Sequence, residues 1–270
     1  LWQNPELMPI ESDPLRYSPI MGVVLTNADV DHTAGLINLR ESQKFNLYGT
    51  QRVLDVLNNN SIFNVLNPKF VSKIPLNLDS YIKLLNADGS LSGIQIKPFA
   101  VPGKVALWLE DPSKGSNFGS VDEDTIALEI VSEETNKRFF YIPACAHVPD
   151  WLKDKLDNTD LLFFDGTLWT DDEMVKQKVG IKTGKRMGHI SMSGKDGSLE
   201  ALKNNSSLAI VNKINKNFTA AKQVKVKNTL SFLTKCSSIF RENTNAKIIS
   251  ITGSCGKTTL KEMIGRTLKL

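Results

Sequence analysis

The chain has 270 residues, of which 41% are hydrophobic and 23% are charged, values that are ordinary for a globular protein. No run approaches the roughly 20 apolar residues of a membrane-spanning helix, so we expect no membrane partner. The three cysteines, Cys145, Cys236 and Cys255, have no paired spacing. A reducing, cytoplasmic environment is therefore expected and fits better than a disulfide framework.

Charge divides the chain into two segments. Residues 203–270 carry 13 Lys and Arg against two Glu, a net charge of +11, whereas residues 1–202 have a net charge of −7. All three histidines and all four tryptophans lie in the acidic segment. We predict two domains of different origin, 1–202 and 203–270. The basic segment carries strand and helix patterns, which argues against a nucleic-acid-binding tail.

Short apolar runs separated by turn residues predict many strands with interspersed helices. The predicted strands of the acidic segment are 21–25, 45–48, 81–85, 94–101, 104–110, 125–131, 138–142 and 160–164. The predicted helices are 51–58, 151–156 and 171–178, and residues 33–40 are predicted to begin a further helix. This mixture, with polar groups gathered at strand ends, predicts a layered α/β (α+β) sandwich.

Carboxylate and imidazole groups follow one predicted strand and recur far downstream. Asp29, Asp31 and His32 lie on one loop, and Asp165 and His189 are positioned to complete a site with open positions. This mixture of oxygen and nitrogen donors suits Fe(II), Mn(II) or Zn(II) and favours iron or manganese. The alternative is that the aspartates only cap the following helix.

Cys145 and His147 form a weaker candidate group. A cysteine in an apolar run is more often a small buried residue than a ligand.

These residues resemble a known family. Residues 27–36, Asn-Ala-Asp-Val-Asp-His-Thr-Ala-Gly-Leu, resemble an altered His-x-His-x-Asp-His signature of the PqqB family, metallo-β-lactamase-fold proteins of pyrroloquinoline quinone (PQQ) biosynthesis. Supporting runs are 102–107, 141–143, 163–174 and 186–192. Asn27 and Asp29 stand where ordinary hydrolases of this fold have histidines, which argues against hydrolysis with two zinc ions.

The resemblance implies a metal-dependent hydroxylase or oxygenase. Its expected substrates are O2 and the tyrosine of a peptide-derived Glu-Tyr unit. Asp29, Asp31 and His32 would hold the metal, with His189 and Asp165 completing the site and His147 assisting proton transfer. The alternative function in this family is a carrier of PQQ or its precursor. We also expect an incomplete αββα sandwich, lacking the family's cysteine-rich N-terminal part and its C-terminal His-Ile-Asn-Asn-Thr-Asn run.

The basic segment ends in a different motif. Predicted strands at 207–211 and 247–251 surround a predicted helix at 228–241, and the second strand leads into Gly253-Ser254-Cys255-Gly256-Lys257-Thr258. Backbone N–H groups at Gly253 and Gly256 would cradle ATP phosphates, with Lys257 supplying charge and Thr258 binding Mg²⁺.

Residues 204–270 resemble Mur ligases of the MurF type, which add D-alanyl-D-alanine in peptidoglycan synthesis. Only 11 residues follow Thr259, too few for a base pocket and a second metal ligand. We therefore expect a chimera whose tail is a fragment with a vestigial ATP-binding loop and no ligase activity.

Overall fold

The computed structural model describes residues 13, 17–157, 159–202, 208–211, 214, 222–228, 231–232, 235 and 250–252. The strands are β1 (Gly22–Leu25), β2 (Phe45–Thr50), β3 (Val71–Leu76), β4 (Ile82–Leu85), β5 (Leu91–Ala100), β6 (Ile126–Ser132), β7 (Arg138–Ile142), β8 (Leu162–Phe164), β9 (Leu208–Val211), β10 (Lys222–Lys225) and β11 (Ser250–Thr252). The α-helices are α1 (Val30–Thr33), α2 (Gln51–Asn58), α3 (Asp150–Leu156), α4 (Glu173–Lys176), α5 (Gly184–Met187) and α6 (Ser198–Ala201). Short 3₁₀ helices span Ala34–Leu39, Ser61–Val65, Leu107–Leu109, Pro112–Lys114 and Asp122–Asp124.

The strands form two larger sheets and one strand pair. One sheet has the order β11-β1-β2-β3, and all its strands are parallel. The other has the order β4-β5-β6-β7-β8 and is antiparallel except for the parallel pair β7 and β8. Strands β9 and β10 form a separate parallel pair.

Alternating side chains place three apolar layers around these two sheets. Successive residues of a strand point to opposite faces, so Val23 and Leu25 pack with helix α2 while Val24 packs between the sheets. In β6, Leu128 joins the layer between the sheets and Ala127 joins the layer beneath helix α3. The result is a helix–sheet–sheet–helix sandwich, which confirms the predicted fold class.

Most of the predicted elements are present with shifted ends. Helix α2 and strand β7 have the bounds that the sequence predicts, because each shows clear apolar periodicity. Strands β9 and β11 confirm the two strands predicted in the basic segment. In the described part of the chain, no helix is both long and apolar enough to cross a membrane.

The strand predicted over residues 104–110 is wrong. This segment is irregular and ends in the 3₁₀ helix Leu107–Leu109. Its backbone donors are used by side chains: Val105 N–H donates to Ser120 Oγ (2.7 Å), and Leu107 N–H donates to Asp29 Oδ1 (3.1 Å). Donors used in this way cannot form a strand ladder, so tertiary contacts override the apolar pattern.

Candidate functional site

The first loop of the site follows the fully buried strand β1. His32, on the short helix α1, is completely buried. Its Nδ1 lies 3.3 Å from Thr26 Oγ1, and its Nε2 lies 3.2 Å from Asn27 Nδ2. Because Asn27 Oδ1 accepts a hydrogen bond from Asp29 N–H (3.0 Å), the Asn27 amide turns its N–H toward His32. This pattern assigns the Nδ1–H tautomer, whose Nε2 lone pair accepts the Asn27 amide N–H.

The two aspartates of this loop face different surroundings. Asp29 is half-buried, and its carboxylate accepts Leu107 N–H and lies 4.0 Å from Lys104 Nζ. Asp31 is exposed to solvent on α1. Neither side chain makes the cap hydrogen bond of α1, for which Asp29 is the N-cap residue.

The second part of the site is a buried carboxylate that holds an imidazole. His189 Nδ1–H donates to Asp165 Oδ2 (2.6 Å), just beyond the end of β8. Asp165 also accepts Cys145 N–H, Thr167 N–H and the Thr167 hydroxyl, at 3.1, 3.1 and 2.7 Å. Its two oxygens are therefore engaged in orienting neighbours. This contact leaves His189 Nε2 as the nitrogen directed away from Asp165, suited to ligate a metal or exchange a proton.

Cys145 contacts Asp165 through its N–H, and His147 lies two residues further on. The two side chains differ in burial. Cys145 is fully buried, donates its thiol to the His147 carbonyl (3.0 Å), and burial raises its pKa to about 12. The thiol is therefore inert at neutral pH. His147 is exposed.

A charged network that sequence reasoning missed connects the two parts of the site. Lys104 Nζ lies 3.5 Å from Glu110 Oε1, and Arg186 makes a two-point contact with Glu110 at 2.9 and 2.6 Å. The Arg186 guanidinium also lies 4.1 Å from the Phe118 ring centroid. Lys104 and Arg186 stand in two of the runs that carry the family resemblance, Pro-Gly-Lys and Arg-Met-Gly-His. Their place in these runs is the feature of the sequence that could have pointed to them.

The donor types fit a divalent transition metal, but the described residues hold them apart. His189 offers an Nε2 atom and is oriented by the carboxylate on its Nδ1, which is the usual arrangement of a histidine ligand, whereas His32 Nε2 accepts the Asn27 amide N–H. Within the described residues, no three His, Cys, Asp or Glu side chains form a group that could hold a metal ion. The five predicted ligands thus lie in two sets, Asp29-Asp31-His32 and Asp165-His189.

The phosphate-loop residues Gly253, Gly256, Lys257 and Thr258 lie outside the described residues. The ATP site and the Mur-type tail therefore stay predictions.

The chain matches the β-lactamase superfamily domain over residues 1–208. It belongs to this superfamily. Coenzyme PQQ synthesis protein B of Bradyrhizobium diazoefficiens is 47% identical over 200 residues, covering 74% of this chain and 64% of the relative. The protein of the same name in Xanthomonas euvesicatoria is 48% identical over 187 residues, covering 69% and 59%.

Among solved structures, Zn²⁺-bound PqqB from Methylobacterium extorquens superimposes with a TM-score of 0.67 at 40% identity, covering 77% of this chain and 66% of that one. The superfamily membership and this likeness account for the two-sheet sandwich. The chain spans less than two thirds of the length of the curated relatives it matches.

Proposed function

We propose that this chain acts in PQQ synthesis as a metal-dependent enzyme that hydroxylates the tyrosine ring of a Glu-Tyr-derived precursor. One observation carries the proposal. The Asp165–His189 pair and the buried His32 are held in the fold of a superfamily of metal proteins, in a chain 47% identical to a PQQ synthesis protein B. The zinc named for the Methylobacterium extorquens structure supports a divalent ion.

Asp29, Asp31 and His32 on one loop and Asp165 and His189 on the other are the proposed ligands, and the described residues hold these two sets apart. The mixed nitrogen and oxygen donors favour Fe(II) over Zn(II) or Mn(II) for O2 chemistry. Such an ion, when bound, supplies Lewis acidity toward a phenol oxygen and electrons toward O2. His147 is the proposed proton relay, since it is exposed and lies two residues after Cys145, whose N–H contacts Asp165.

Two exposed tryptophans stand close in the chain to residues that contact the site, which favours an aromatic substrate. Trp108 and Trp169 are 43% and 51% exposed. Trp108 directly follows Leu107, which contacts Asp29, and Trp169 lies two residues beyond Thr167, which contacts Asp165. Exposed indole rings give a flat apolar surface on which a phenol or quinone ring packs well.

Oxygen transfer tests the proposal directly. Ring hydroxylation by O2 takes two electrons and two protons from a reductant and releases the second oxygen atom as water. The full chain, loaded anaerobically with Fe(II), is mixed with a Glu-Tyr dipeptide, ascorbate and isotopically heavy O2. We expect the product to carry one heavy oxygen atom, and His189→Ala to abolish incorporation.

A carrier would behave differently in the same samples. It would bind the dipeptide or PQQ without O2, and binding would survive Asp31→Ala. Binding of that kind, with no oxygen transfer by the wild type, would overturn the hydroxylase proposal and favour the carrier.

A further inference from the structure

A cleft of about 560 Å³ lies beside helix α2. One wall is formed by α2 and the turn that follows it, and the other by Trp108 and Leu109 of a 3₁₀ helix. The five predicted metal ligands are not among its described lining residues. Its volume is in the range of clefts that bind small molecules, so we asked which chemistry its walls offer.

Both walls of the cleft rest on the same apolar layer. Leu57 on the buried face of α2 belongs to the layer that also holds Ala106, the residue just before the 3₁₀ helix. Leu109 N–H donates to the Ala106 carbonyl (2.8 Å), and Leu107 N–H donates to Asp29 Oδ1. The tryptophan between these two residues is therefore carried on a backbone that is held at both sides.

The α2 wall offers one cation and one anion. Arg52, Asp55 and Asn59 lie on one face of the helix, because residues three or four positions apart are neighbours there. Arg52 Nε donates to Asp124 Oδ1 (3.0 Å), and among the described residues its two Nη groups have no partner. Asp55 Oδ1 accepts the Gln51 amide (2.7 Å), whereas Oδ2 has no partner in the described part of the chain. A guanidinium edge and a carboxylate oxygen are thus available about one helical turn apart.

The opposite wall offers an aromatic surface. The Trp108 side chain is 43% exposed, and its indole ring lines the cleft together with Leu109. On the helix wall, the half-buried Val56 adds a further apolar contact. An indole ring packs well against a second aromatic ring in an offset or edge-on arrangement. The cleft therefore combines an apolar aromatic side with a side that carries both signs of charge.

We propose that this cleft binds an aromatic amino acid in its zwitterionic form. The ligand's carboxylate accepts the Nη groups of Arg52, its ammonium pairs with Asp55, and its ring packs on Trp108. A ligand with several negative charges fits less well, because Asp55 repels it and Arg52 is already shared with Asp124. This inference goes beyond the proposed function, since binding here needs neither a metal ion nor O2.

Ligand binding to the metal-free full chain tests the proposal. L-phenylalanine is titrated in the presence of a chelator, and binding is followed by ligand-observed NMR. We expect a dissociation constant on the order of 1 mM, which suits a ligand of this size in an open cleft. Trp108→Ala should weaken binding about tenfold, and Asp55→Asn about threefold, because an exposed ion pair contributes less than the ring contact.

Two analogues test the zwitterion. The first, 3-phenylpropionate, lacks the ammonium group, and the second, 2-phenylethylamine, lacks the carboxylate. Each should bind at least about threefold more weakly than L-phenylalanine to the wild type. Asp55→Asn should leave the affinity for 3-phenylpropionate unchanged or raise it, because this ligand has no ammonium to pair with Asp55. An analogue that binds as tightly as L-phenylalanine would overturn the zwitterionic assignment.

Two exposed residues of helix α3 provide matched controls. Trp151→Ala removes an indole that is 48% exposed, and Asp154→Asn removes an exposed helical carboxylate. Both variants should bind L-phenylalanine as the wild type does. Absence of saturable binding to the wild type, or unchanged binding by Trp108→Ala, would overturn the proposal. If Trp108→Ala does not fold, the Asp55→Asn titration decides. Oxygen transfer is measured separately, so failure of the hydroxylase proposal leaves this result standing.

Discussion

The two loops of the candidate site obtain their order from different kinds of contact. In the loop after β1, the polar contacts of His32 reach residues five and six positions away. In the second loop, Asp165 joins Cys145 and His189, which are 20 and 24 positions away. The His32 ring therefore has partners within its own loop, whereas Asp29 of the same loop contacts the distant Leu107 and Lys104. The second loop depends on the packing of β8 and α5, so damage to it should spread further.

Asp165→Ala should be the most damaging single change. It leaves the buried N–H of Cys145, the N–H of Thr167 and the His189 ring without their acceptor. We expect a loss of about 3–5 kcal/mol in the free energy of unfolding, measured with urea. Asp160→Ala, at an exposed position just before β8 in the chain, is the control and should change the free energy of unfolding little. Equal stability of the two variants would show that the second loop is not held through Asp165.

His32→Leu should have a smaller effect, because the ring contacts Thr26 and Asn27 of its own loop. The Thr26 hydroxyl and the Asn27 amide would lose a partner in a buried setting. We expect a loss of about 1–3 kcal/mol in the free energy of unfolding. His147→Leu makes the same change at an exposed histidine and should be near neutral. A loss larger than that of Asp165→Ala would reverse the proposed difference between the loops.

The contact between Arg186 and Glu110 should make the free energy of unfolding depend on pH. Pairing with Arg186 lowers the pKa of Glu110 from 4.5 to about 2. A lowered carboxyl pKa stabilises the fold above pH 4.5 and loses that contribution as the pH falls toward 2. In urea unfolding, the stability advantage of the wild type over Glu110→Gln should therefore be complete at pH 7 and shrink below about pH 4.5. A pH-independent difference would contradict this, and Glu134→Gln, at an exposed site, is the control.

The smallest effect on the stability of the sandwich is expected from a substitution in the basic segment, residues 203–270. If the phosphate loop binds ATP as predicted, Lys257→Ala should abolish nucleotide binding and leave urea unfolding of the sandwich within about 0.5 kcal/mol of the wild type. Fluorescent-nucleotide titration of the full chain provides the first measurement. Nucleotide binding that persists in Lys257→Ala would contradict the predicted role of the loop.

Local pattern explains which parts of the molecule the sequence could predict. Helix α2 and strand β7 follow from periodicity alone, and the cluster Asp29-Asp31-His32 stands out because its members are adjacent. Strand β3 is not evident, because Lys73 and Pro75 interrupt its apolar pattern, and its pairing with β2 defines it. The contacts of Lys104 with Asp29 and of Arg186 with Glu110 span 75 and 76 positions, respectively. No local pattern encodes such contacts.

Metal retention tests the central claim most directly. The wild type and Asp31→Ala are loaded anaerobically with Fe(II), desalted and analysed for iron, with Asp122→Ala as an exposed-carboxylate control. The proposed site predicts about one iron per wild-type chain, the same in the control, and at least a tenfold loss of affinity in Asp31→Ala. Equal iron content in the wild type and Asp31→Ala would contradict it.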